Sequence, residues 1–144
     1  MMFPQDRTEL RKFYQSAWAR FENKEILTPL ESQVVEIIQW HPEYLKFLLN
    51  LNEDLLDQDF SVEQGEVNPF LHLGLHLGLR EQIQTDRPLG ISKIYHALLN
   101  KTKNPHEAEH RMMDILGEVL WLSQKYNTQP EDKFYLDKLK NLIV

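Results

Sequence analysis

The chain has 144 residues, no cysteine and a net charge of −6; this excludes disulfides, iron–sulfur clusters and thiolate zinc sites and argues against nucleic acid or an anionic membrane as partner. At 42% hydrophobic and 26% charged residues, with a mean hydropathy of −0.50, it has the balance of a globular chain that buries a real core. No apolar run approaches the ~20 residues of a membrane span, and "MMFPQDRTEL" carries no apolar leader, so a cytoplasmic protein of one domain, residues 1–144, is expected.

Prolines punctuate the chain where helices begin, since the first helical turn tolerates a missing N–H. The first helix is predicted from about Asp6 to Glu22, with Leu10, Phe13, Tyr14, Ala17, Trp18 and Phe21 on one face at helical spacing. The second runs from Pro29 to about Trp40. Thr28 and Glu31 form a capping box at its start, and Leu30, Val34, Ile37 and Ile38 face inward. "WHPEY" breaks the chain, because the residue before proline resists the α region. A short third helix spans Pro42 to about Leu49, and residues 52–67 form one long polar connection. Asn68 is a plausible cap for a fourth helix, Pro69 to about Gln84. A fifth covers Leu89 to about Leu99. Asn104 caps a sixth, Pro105 to about Tyr126, and a seventh covers Pro130 to about Leu142. No segment alternates with period two, so the fold class is all-α, a compact bundle of six to seven helices.

The fourth helix carries the most informative stretch, "NPFLHLGLHLGLREQ" (68–82). His72 and His76 fall roughly 40° apart on its wheel, in an arc shared with Leu75, Leu79 and Ile83. A helix apolar nearly all round belongs inside a domain. Gly74 and Gly78 lie on the opposite arc, where close approach of a neighbouring backbone is expected. Buried imidazoles need hydrogen-bond partners or a metal. His at i and i+4 is a chelating geometry, although "HLGLH" lacks the glutamate of the HExxH proteases.

A second ladder lies in "HEAEHRMMDILGEVLW" (106–121), where His106, His110, Asp114 and Glu118 recur every fourth residue. Gly117 and Trp121 lie within the same arc. His72, His76, His110 and Asp114 together are a candidate metal set for Zn, Fe or Mn, built from two facing helices. Glu81, Glu118, His106 and His41 are candidates for a second metal or for orienting the ligands. The bland reading treats His72 and His76 as hydrogen-bonded core residues and His110 with Asp114 as a surface pair. In that reading His41 caps or bonds backbone beside its proline, His96 is structural or exposed, and the three tryptophans belong to the core. No GxSxG elbow and no glycine-rich phosphate loop occurs, so no catalytic residue is assigned.

"LTPLE", "HPEY", "NPFLHLGLHLGLREQ" and "LGEVLWLSQ", in this order, resemble the bacterial family known as domain of unknown function 1841. The resemblance runs from the "FYQSAW" helix to the end of the chain. It implies a small, soluble, all-helical cytoplasmic protein of proteobacterial type. The family's histidine motif falls on His72 and His76, and its later acidic position on Asp114 or Glu118. It implies no reaction.

Three functional expectations result. The first is a divalent-metal bundle, with neutral imidazoles that release metal as pH falls through about 6. The second is a non-enzymatic interaction module whose histidines are core hydrogen-bonders. In that case the amphipathic "FYLDKLKNLIV" docks a protein partner or a second copy. The third is a small-molecule pocket lined by Trp121, Gly117 and the histidines.

Overall fold

The structure is a computed structural model that describes residues 7–45, 48 and 69–144. The expected connection 52–67, the Asn68 cap and most of the short third helix lie outside these residues. Six α-helices occur among them: α1 (Arg7–Glu22), α2 (Pro29–Trp40), α3 (Pro69–Thr85), α4 (Ile91–Thr102), α5 (Pro105–Lys125) and α6 (Asp132–Lys140). Short 3₁₀ turns cover Pro42–Tyr44 and Asn141–Ile143. No strand occurs among the described residues, and none of their helices is long and apolar enough to cross a membrane. The chain divides into two compact units, Met1–Gly74 and Leu75–Val144. Helix α3 is continuous through the division.

In the first unit α1 packs on α2. Tyr14 and Ala17 from α1, and Val34, Ile37 and Ile38 from α2, are fully buried. Those are the positions at which the helical period puts apolar side chains on one face. Phe21, expected inward, is 38% exposed. It lies in the last turn of α1 beside Trp18, with ring centroids 5.2 Å apart. Helix α1 ends with Lys24 in the left-handed region (φ 58°), and the Glu25 N–H reaches back to the Arg20 carbonyl at 2.9 Å, which satisfies carbonyls the helix end would otherwise strand. Helix α2 then starts on the expected capping box. Glu31 N–H donates to Thr28 Oγ1 at 3.2 Å, and Thr28 N–H donates to Glu31 Oε1 at 2.9 Å. The hydrogen bonds from Thr28 hold the Glu31 carboxyl below its usual range, against the opposing effect of burial.

In the second unit, Leu79 from α3, Ile91, Ile94 and Leu98 from α4, Met112, Met113 and Leu116 from α5, and Tyr135 and Leu139 from α6 form one core. The apolar face of the C-terminal segment is therefore used within its own unit. The turn before α4 is built on Asp86, whose Oδ1 accepts from the backbone of Gly90 and Ser92, each at 3.0 Å. Gly90 adopts φ 103° there, a value that only glycine takes without strain. Leu89 consequently belongs to the turn, and α4 begins at Ile91, not at Leu89. Lys103 in the left-handed region ends α4, and Asn104 caps α5 by accepting from Glu107 N–H at 3.2 Å.

Among the described residues, no backbone closely approaches the two helical glycines of α3. A Cβ at Gly74 meets the Tyr14 hydroxyl at an ordinary 3.6 Å, and one at Gly78 meets no described atom within 4 Å. Trp121, expected in the core, is 57% exposed and lies under the Lys125 ammonium, 4.9 Å from its ring centre.

Candidate metal centre

Proline sets the position of the first histidine. Pro42 prevents α2 from continuing, so His41 becomes its C-cap, and its N–H donates to the Ile38 carbonyl at 2.9 Å. The ring folds back over the last turn, where Nδ1 lies 2.7 Å from the Ile37 carbonyl oxygen. A carbonyl only accepts, so Nδ1 carries the proton and Nε2 of the neutral ring carries the lone pair. His41 is buried and stacks on Tyr44, with centroids 5.4 Å apart and planes 9° from parallel. Burial, and then the charge of Glu43, pushes the Tyr44 hydroxyl pKa up. His72, on the first turns of α3, meets His41 edge-on with centroids 4.3 Å apart. Ligand-capable nitrogens of the two rings lie within 4.8 Å of one another.

One turn further along α3 stands His76, four residues after His72 on the same helix. His76 is fully buried. Its Nε2 donates to Glu109 Oε1 at 3.2 Å, and the same oxygen accepts from Arg80 Nε at 2.8 Å. Burial alone raises the pKa of the Glu109 carboxyl. The hydrogen bonds from His76 and Arg80, with the charge of Arg80, outweigh that and bring it below the ordinary carboxylate value. Glu109 is therefore an ionised buried acceptor, which fixes the proton of His76 on Nε2 and leaves the lone pair on Nδ1.

His110, one residue after Glu109 on α5, stands edge-on to His76 with centroids 5.6 Å apart. Their ligand-capable nitrogens are again within 4.8 Å. On its other side, His110 Nε2 lies 2.9 Å from His106 Nε2; one ring donates and the other accepts. His106 and His110 are half-buried, whereas Asp114 is exposed. Asp114 lines an open surface depression with Asn104, His106, Glu107, His110 and Arg111. Glu118, another rung of the ladder, is engaged by Lys138 Nζ at 3.0 Å. His96 is exposed and donates Nδ1–H to the Ser92 carbonyl at 2.7 Å.

The chain matches the family described as Domain of unknown function (DUF1841) over residues 6–141. It belongs to that family. No curated protein and no solved structure matches it. Within this DUF1841 chain the histidine motif is thus tied to a carboxylate that the every-fourth-residue ladder passes over. Glu109 is signalled in the sequence by its neighbours. Ala108, Met112 and Met113 mark the buried face of α5, and a carboxylate on that face needs a cation or an imidazole to offset its desolvation. Arg80, four residues beyond His76, supplies the cation.

Proposed function

We propose that the clustered histidines bind a divalent transition metal, His41 with His72 in the first unit and His76 with His110 in the second. Within each unit the pair, His41–His72 or His76–His110, brings ligand-capable nitrogens within 4.8 Å. The observation that carries the reading is the way two of the rings are held. His41 gives its Nδ1–H to a backbone carbonyl, and His76 gives its Nε2–H to a buried carboxylate. Metal-binding imidazoles are oriented in this manner, with one nitrogen tied to an acceptor and the other offered to the metal.

The proposed set replaces Asp114 of the sequence-derived candidates with His41. Neutral imidazoles suit zinc or iron better than manganese, which favours carboxylate oxygen. The proposal includes no reaction and takes the protein to be bacterial and cytoplasmic.

Titration of the metal-free, untagged chain with Co2+ tests this, because imidazole coordination changes its visible absorption. His41→Gln and His72→Gln are each expected to weaken binding by about tenfold or more, and Asp114→Asn to leave it unchanged. Loss of binding in Asp114→Asn with full binding in His41→Gln would overturn the set. No Co2+ uptake by the wild type would overturn the metal reading and leave the histidines as core hydrogen-bonders.

A further inference from the structure

We infer that His106 is a positioning residue, which determines the nitrogen that His110 offers to a metal. The inference rests on the reading of His110 as a ligand and deepens it, since nothing in the ladder alone distinguishes His106 from a surface residue.

The two rings stand nearly perpendicular, 84° apart with centroids separated by 4.1 Å. Their Nε2 atoms are 2.9 Å apart, the separation of a good hydrogen bond. Two neutral imidazoles share one proton in such a contact, so two arrangements exist. When His110 donates, its Nε2 holds the proton, His106 Nε2 accepts, and the lone pair of His110 is on Nδ1. When His106 donates, the His110 lone pair is spent on that hydrogen bond and its Nδ1 carries a proton unsuited to ligation. Only the first arrangement leaves His110 both held and able to bind.

His41 and His76 follow the same plan, with a carbonyl and a carboxylate as acceptors. His106 supplies the third acceptor, and as an imidazole it also places the contact beside the surface depression shared with Asp114 and Arg111. The side chain is held there by helix geometry. His106 occupies the first turn of α5, after the Asn104 cap and Pro105, and reaches His110 one turn on.

Two measurements separate this inference from the metal reading. Long-range 15N–1H correlation spectra of the metal-free protein report the protonated nitrogen of each histidine. His110 is expected as the Nε2–H form in the wild type, as a mixture in His106→Leu, and as Nε2–H again in His106→Gln, whose amide oxygen still accepts. Co2+ affinity is expected to fall about ten- to hundredfold in His106→Leu and to recover most of that in His106→Gln. Nδ1–H on His110 in the wild type overturns the inference whether or not metal binds. Wild-type affinity in His106→Leu, or an equal loss in Leu and Gln variants, overturns it while leaving the metal set intact.

Discussion

His76 donates its Nε2–H to Glu109 across 3.2 Å, and both side chains are buried. The imidazole would otherwise be a poor choice for the interior of an apolar helix. Glu109 accepts its proton, Arg80 balances the charge of Glu109, and the result is a hydrogen-bonded group in which each member satisfies another. Groups of this kind are costly to disrupt, because removing one member leaves the charge of another desolvated.

Glu109→Gln should therefore destabilise the protein strongly, although glutamine has nearly the same shape. It leaves the buried Arg80 guanidinium without the Glu109 charge, at a cost of about 3–5 kcal/mol. Urea denaturation of wild type and variant at neutral pH measures this. A loss no larger than that of an ordinary surface substitution, within about 0.5 kcal/mol, would show that the charge of Glu109 is unimportant.

The Glu31 capping box predicts a pH signature. The folded-state pKa of Glu31 is lowered from 4.5, so the unfolded chain takes up its proton first as pH falls. The carboxylate's contribution is then present above about pH 4.5 and is lost as pH drops through the lower folded value. Glu31→Gln should be less stable than wild type at pH 7 by about 1 kcal/mol, and the gap should narrow as pH falls below about 4.5. Paired thermal melts over that range check it. A gap that widened on acidification would contradict the assignment.

Gly78→Ala is expected to stabilise. The position is helical, has no positive φ, and an added Cβ meets no described atom within 4 Å. Alanine in place of glycine in a helix interior is worth about 1 kcal/mol. Chemical denaturation should show the midpoint moving up with an unchanged slope. A lower midpoint would mean that the glycine serves a contact.

Metal loading should also be lost at a higher pH than the capping-box contribution. Imidazoles must be neutral to ligate and ordinarily titrate near 6.5. The difference in melting temperature between Zn2+-loaded and chelator-treated protein should accordingly be large at pH 7.5 and vanish by about pH 5. A difference that persists unchanged to pH 5 would contradict imidazole ligation.

Much of the helical layout is legible in the sequence, because local chemistry fixes it. Pro29 with Thr28, and Pro105 with Asn104, set helix starts to the residue. The start of α4 is less legible. Leu89 looks like a first apolar position, but the Asp86 side chain and Gly90 build a turn through it. The candidate site is legible only in part. His72, His76 and His110 are picked out by spacing. Glu109 is missed because a repeat of four residues tracks one stripe of α5, whereas His76 and Arg80 contact the residue just before His110. His41 is visible as a residue bonding its own backbone, but the nearness of its ring to His72 depends on packing of α2 and α3 that no local pattern encodes. Asp114 shows the converse. It has the right spacing for a ligand, yet it lies on the exposed side of the helix.

The most direct measurement is elemental analysis of the untagged chain, purified without chelator and dialysed against metal-free buffer. The proposed histidine ligation predicts zinc or iron on the chain, retained through dialysis and removed by a strong chelator with a fall in melting temperature. Protein free of transition metal, whose melting temperature does not respond to added Zn2+, Fe2+ or chelator, would contradict it.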